Sequence, residues 1–257
     1  MTASRVIVLA ALLAGMTPAK AADCPRDGTL GTARVLSVDA ASTPRVGLKS
    51  FPDTLPLEDK EVVLTFDDGP AQTTPQVLAA LAHECVQATF FMVGTGVTAL
   101  PTLVRRVAAA GHSIGTHTWS HKNLKNLPPE QAAEEIDRGI TALETVLHGK
   151  ASTVPTTPFF RFPYFDSTPA LLERLQARGI VVFGADFWAS DWNRMTPQEQ
   201  LALITERLEA NRKGIILFHD PRAQTAAMLP DFLRYLRENH YRVVHVVAKA
   251  PEANVTH

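Results

Sequence analysis

Cysteine is nearly absent. The chain carries only Cys24 and Cys85, which excludes a metal site built from clustered thiolates. In an oxidising compartment the two can pair, and equally Cys85 can serve as a small core residue. Charge of one sign is scarce too. The 25 Lys and Arg side chains nearly balance 26 Asp and Glu, which argues against a nucleic-acid binder. Long apolar runs are missing beyond the first residues, so no later stretch reads as a membrane span. Internal repeats and low-complexity tracts are missing as well.

The first residues read as an export signal. Arg5 precedes the apolar run "VIVLAALLAGM", and "AKA" at Ala19 to Ala21 offers small residues for cleavage. Cys24 follows "AAD", a poor lipoprotein box, so an exported protein, periplasmic or secreted, is expected. Losing residues 1–21 would remove Arg5 and Lys20 and no acid, leaving 23 basic and 26 acidic side chains, a net −3. The expected organisation is a leader (1–21), an N-terminal extension (22–60), one main domain (61–250) and a short tail (251–257). The extension is rich in Pro, Gly, Ser, Thr and Asp and holds one β-like run, "ARVLSV".

From Glu61 onward, short apolar runs alternate with helical periodicity. The runs are "EVVLTF", "ATFFMV", "HSIGTH", "PFFRF", "IVVFGAD", "GIILFH" and "RVVHVV". Several helical stretches between them open on Thr-Pro or Pro-Pro and close on Gly, as capping chemistry prefers. Continuous apolar strands between helices predict a parallel sheet buried on both faces. The expected class is α/β, as an open doubly wound sheet or a closed barrel.

The polar exceptions gather at the C-terminal ends of these runs. Asp67 and Asp68 follow the first, His117 and His121 follow "HSIGT", Arg161 and Tyr164 follow "PFF", Asp191 and Trp192 follow "IVVFGAD", and His219 follows "IILF". That edge is where parallel α/β folds build active sites. "HTWSH" places imidazoles at i and i+4, which converge on a helical turn or in a tight loop. A His pair with one carboxylate makes an open metal site. One of the paired aspartates can then ligate and the other act as general base on water. Asp, Gly and Pro also favour turns, which is the plainer use of "DDGP". Arg161 can orient a carboxylate, and His219 beside an aspartate can serve as general acid. His112, before its strand's end, reads as structural.

"TFDDGP", "HTWSH", "RFPYF", "SDW" and "ILFHD" together resemble the NodB-homology polysaccharide deacetylases, carbohydrate esterase family 4. The resemblance runs from Glu61 to about Val247. It implies a distorted (β/α)7 barrel and metal-dependent removal of acetyl groups from N-acetylated glycans, with an acetylated glycan as partner. By position it implies Asp67 as base, Asp68, His117 and His121 as metal ligands, and Arg161 holding the base. Tyr164 would give a backbone N–H to the oxyanion, Asp191 would tune the acid His219, and Trp192 and Leu217 would wall the acetyl pocket. Zinc is the expected ion, with cobalt or another divalent ion suiting the same donors. Two positions depart from the pattern: Phe165 where glycine is usual, and Trp188 where an aspartate is usual, with Asp186 two residues earlier.

Overall fold

A computed structural model describes residues 27–249. The expected leader, the tail and Cys24 lie outside them. Cys85 is disulfide-bonded. The strands are β1 (Thr32–Val38), β2 (Arg45–Val46), β3 (Glu61–Asp67), β4 (Thr89–Met92), β5 (Ser113–Thr116), β6 (Phe159–Phe160), β7 (Val181–Phe183), β8 (Phe187–Trp188), β9 (Gly214–His219) and β10 (Arg242–Ala248). The helices are α1 (Thr74–His83), α2 (Gly94–Ala99), α3 (Pro101–Ala109), α4 (Pro129–His148), α5 (Pro169–Ala177), α6 (Pro197–Asn211) and α7 (Ala223–Glu238). No helix among the described residues is long and apolar enough to cross a membrane.

All seven apolar runs form strands, and every strand pair is parallel. The sheet runs β3-β4-β5-β6-β7, while β9 pairs β3 along its length and β8 pairs β9. The chain passes directly from β7 to β8, so the ring closes through its own backbone at Gly184–Asp186. This is the distorted (β/α)7 barrel of the expected class. Residues 27–60 add β1 beside β10 and β2 beside β7.

β3 shows why the strands read as continuous apolar runs. Successive side chains face opposite sides. Val62, Leu64 and Phe66 pack outward against helix residues such as Leu81, Val104 and Phe232. Val63 faces the inner cluster with Phe91, Phe159 and Phe183, which Val46, Leu55 and Leu57 of the N-terminal segment complete. Both faces are dry, so truncating Phe66 to Ala would cost about 3–5 kcal/mol. Positions of the same parity are polar at Glu61, where Arg34 pairs with the buried carboxylate, and again at Thr65 and Asp67 toward the strand's end.

Two local expectations changed. α2 carries no periodic signal, being six residues with two glycines. It is held from outside, its Gly94 and Thr95 N–H groups donating to the Thr118 and Trp119 carbonyls at 2.9 Å each. α6 does not close on glycine, because Arg212 takes the left-handed cap at φ 64°. Its exposed guanidinium pairs with Asp59.

Candidate active site

The C-terminal ends of β3, β5, β6, β8 and β9 bring the predicted residues to one cavity of about 670 Å³, with Arg161 and Asp191 buried behind Asp67 and His219 of its lining. Asp67 ends β3 and His219 ends β9, in direct register with each other. Asp68 follows in the left-handed region at φ 71°, which turns its carboxylate away from the strand and toward the histidines. His117 and His121 lie in a loop rather than on a helix. Left-handed residues at Thr118 and His121 fold that loop back, and the His121 N–H donates to Thr118 Oγ1 at 3.0 Å.

His117 Nδ1 donates to the Arg161 carbonyl at 2.7 Å. A carbonyl only accepts, so the proton sits on Nδ1 and the lone pair is on Nε2. Burial lowers the His117 pKa despite the charges of Asp67 and Asp68, keeping the ring neutral. Its Nε2 lies 3.5 Å from Asp68 Oδ1, and His121 Nε2 lies 3.1 Å from the same oxygen. Donor atoms of Asp68, His117 and His121 fall within 4.8 Å of one another. His121 is misaligned for a hydrogen bond, so the buried Asp68 Oδ1 receives none. An unpartnered carboxylate oxygen beside imidazole lone pairs is what a divalent cation would satisfy. Burial alone would raise the Asp68 carboxyl, but the imidazoles of His121, His117 and His219 hold it well below the usual carboxylate range.

The two acid–base candidates flank this trio, each gripped from behind. Arg161 is fully buried. Its Nη1 donates to Asp67 Oδ1 at 2.7 Å and to Thr65 Oγ1 at 2.8 Å, and its Nη2 donates to the Gly184 carbonyl at 2.6 Å. Removing either member of such a buried pair would cost about 3–5 kcal/mol. His219 Nδ1 donates to Asp191 Oδ1 at 2.7 Å, while its Nε2 faces Asp68 at 3.9 Å. Burial alone would lower the His219 pKa. The hydrogen bond and charge of Asp191, joined by Asp67 and Asp68, outweigh it and lift it to about 9.

Tyr164 sits at φ 60° in a 3-10 turn, Pro163–Phe165, just after β6, with its ring against His121 at 4.9 Å. Trp192 meets His219 edge-on at 5.9 Å, and Leu217 completes that wall. Phe165 also lines the cavity, in a left-handed conformation at φ 59°. That backbone is easiest for glycine, which accounts for glycine being usual there and means Phe165 narrows the rim under strain.

A polysaccharide deacetylase family model matches residues 54–183, about half the chain. The chain is 30% identical over 216 residues to a peptidoglycan-N-acetylglucosamine deacetylase of Bacillus cereus, covering 79% of this chain and 76% of that one. The chain belongs to the polysaccharide deacetylase family. A second relative of this family member, the peptidoglycan-N-acetylglucosamine deacetylase PgdA of Listeria monocytogenes, is 30% identical over 191 residues. That match takes in 73% of this chain but only 38% of the Listeria protein. Among solved structures, a peptidoglycan deacetylase of Bdellovibrio bacteriovorus superposes with a TM-score of 0.77 at 30% identity. It covers 93% of this chain and 66% of that chain.

Thr225 and Gln224 of this deacetylase-family chain had no motif to announce them, and Asp220, inside "ILFHD", had no role assigned. Thr225 Oγ1 donates to Asp191 Oδ2 at 2.7 Å, and Gln224 Nε2 donates to the Asp191 carbonyl at 3.0 Å. Asp220, next to His219, is fully buried and accepts from the Thr74 hydroxyl, and its own carbonyl accepts from Thr73 Oγ1 at 2.5 Å. A β-carbon on Gly69 would overlap its carboxylate, so Asp220 seats the loop that carries Asp68. Asp186 is not in the cavity. It accepts from the Leu48 and Ile215 N–H groups at 2.8 and 2.6 Å, stapling the N-terminal segment to the barrel. His112 is structural, accepting from the Ala88 N–H at 3.1 Å.

Proposed function

We propose that the chain is a metal-dependent hydrolase that removes acetyl groups from N-acetylated amino sugars of a glycan. One observation carries this reading. Two buried pairs, Arg161–Asp67 and Asp191–His219, converge on the Asp68, His117 and His121 trio in a single cavity. A carboxylate on one side and an imidazolium on the other are what amide hydrolysis requires, because an amine leaves only when protonated.

In this reading Asp68, His117 and His121 hold the ion, zinc in preference to cobalt or another divalent ion. When bound, such an ion supplies positive charge for a polarised carbonyl and acidity for a water. Asp67 takes the proton of the attacking water, with Arg161 fixing its carboxylate in line. The Tyr164 backbone N–H is assigned to the developing oxyanion. His219 gives its proton to the leaving nitrogen, and Asp191 holds the imidazole in the tautomer that points Nε2 into the cavity. Trp192 and Leu217 enclose the acetyl methyl. A longer acyl group would be disfavoured, at about 10- to 200-fold per methylene.

The names of the Bacillus and Listeria relatives support an N-acetylglucosamine unit of peptidoglycan as substrate. The signal-like first residues and the disulfide at Cys85 support action outside the cytoplasm. The deciding experiment is acetate release from peptidoglycan fragments, chito-oligosaccharides and paired O-acetylated sugars by zinc-loaded and chelated protein. N-acetyl substrates should release acetate only with metal. Stoichiometric zinc with no acetate from any N-acetyl glycan would overturn the reading.

A further inference from the structure

The mouth of the cavity carries positive charge that the acetyl chemistry does not use. Lys49 comes from the N-terminal segment, outside the residues matched by the family model. Its loop is fixed at three points. The Leu48 N–H and Thr54 hydroxyl donate to the two Asp186 carboxylate oxygens, at 2.8 Å each, and the Lys49 N–H donates to the Ala185 carbonyl at 2.8 Å. This places Lys49 Nζ 4.9 Å above the ring of Trp188.

Trp188 is fixed in its turn. Its carbonyl accepts from Arg207 Nη1 at 2.6 Å, it pairs with Leu217 of β9, and its ring lies 6.3 Å from Trp192. Arg222 enters from another wall, its N–H donating to the His219 carbonyl at 3.2 Å. Lys49 and Arg222 both line the cavity, and among the described residues neither forms an ion pair. The acids of the cavity wall, Asp67 and Asp68, are taken up at its floor by Arg161 and the imidazoles.

A neutral sugar needs an aromatic face and hydrogen bonds. It has no use for two cations. An indole wall with an ammonium over its face, and a guanidinium on the lining of the same cavity, suits a sugar ring that carries a carboxylate. We infer that Lys49, over Trp188, and Arg222, on the lining of the same cavity, form a subsite for an acidic sugar adjoining the acetylated unit, so that the substrate is an anionic glycan. This rests on the deacetylase reading above and narrows its substrate class.

The test uses zinc-loaded protein and three tetrasaccharides. One is the neutral N-acetylglucosamine tetramer. The second alternates N-acetylglucosamine with N-acetylmuramic acid, and the third alternates it with glucuronic acid. Each acidic tetramer is also prepared with its carboxylates amidated. The carboxylate form should exceed its own amide in kcat/KM by about three- to thirtyfold, the worth of two exposed charge contacts. The gain should lie in KM and shrink as salt is raised to about 0.2 M. Lys49→Gln and Arg222→Gln should each lower that ratio, and Lys49→Arg should restore most of it. The acidic tetramer with the larger ratio identifies the source of the carboxylate.

Tryptophan fluorescence titration gives dissociation constants independent of turnover. A carboxylate-to-amide ratio of one at low salt, in both kinetics and binding, overturns the subsite while acetate release leaves the deacetylase standing. A ratio unchanged in the Lys49→Gln, Arg222→Gln double variant overturns the assignment to these two residues. Charge-selective binding without acetate release upholds the subsite and sinks the deacetylase reading instead.

Discussion

Replacing Asp191 with asparagine isolates the device that makes His219 an acid. The side chain keeps its shape, so its amide oxygen can go on accepting from Thr225 Oγ1 and the His219 backbone N–H, while its NH2 group faces His219 Nδ1 and the negative charge is lost. His219 is lifted from 6.5 to about 9 against a burial penalty of opposite sign. That lift corresponds to about 3 kcal/mol of preference for the imidazolium. Without the charge, burial dominates and the pKa should fall to 6.5 or below. At pH 8 an imidazole of pKa 6.5 is about 3% protonated, and the loss of general acid catalysis costs about 10²- to 10⁴-fold in all. A cation bound beside Asp68 would lower His219 in both proteins. The difference between them should survive, because Asp191 holds Nδ1 and the trio faces Nε2. The assay is kcat/KM on an acetylated oligosaccharide from pH 5.5 to 10. The alkaline limb of the variant should move acidward by about 2.5 pH units or more, and its deficit should be smallest at the acid end. An alkaline limb that stays where wild type has it would refute the pairing of Asp191 with the general acid. The same sign governs stability. The His219 contribution is fully present below pH 6.5 and is lost as pH rises through about 9.

The other expectations follow the same geometry. Asp67→Asn should retain zinc yet lose at least about 100-fold in kcat, and wild-type turnover in the purified variant would exclude Asp67 as base. His117→Ala with His121→Ala should abolish bound zinc by elemental analysis, and a stoichiometric ion in that variant would remove the trio from the metal site. Gly69→Ala should cost about 1–3 kcal/mol and displace Asp68, since the added methyl overlaps the buried Asp220 carboxylate. A melting temperature within a degree of wild type would show that the loop is free to shift. His112 and His245 are buried, with pKa values lowered by that burial to about 4. The unfolded chain therefore binds more protons than the folded one between pH 6.5 and about 4, and stability should fall as pH drops through that window, by up to about 3 kcal/mol per histidine. His112→Asn with His245→Asn should flatten the decline in denaturant midpoint, and an unchanged slope would assign acid sensitivity elsewhere.

How much of this was legible in the sequence depends on what fixes each part. The barrel strands were legible because burial on both faces leaves them mostly apolar, with the reactive polar residues at their C-terminal ends. There Asp67, His117, Arg161 and His219 interrupt the apolar run, and the interruption itself marks the site. The chemistry restricts residue type, since only a few side chains ligate a cation or carry a proton, so it leaves short motifs. α2 was not legible because its N–H groups are satisfied by the carbonyls of Thr118 and Trp119, more than twenty residues away, and not by any periodic pattern of its own. Thr225 and Asp220 act through one hydroxyl and one carboxylate whose partners are known only once β9 lies beside β3. Lys49 is the extreme case. Its place depends on Asp186 accepting from the Leu48 N–H across 138 positions of sequence, and many residue types at many positions can bring a cation to a rim. The proposed catalytic residues are therefore written locally, at strand ends, while the proposed acidic-sugar subsite is written in tertiary contacts between the N-terminal segment and the barrel.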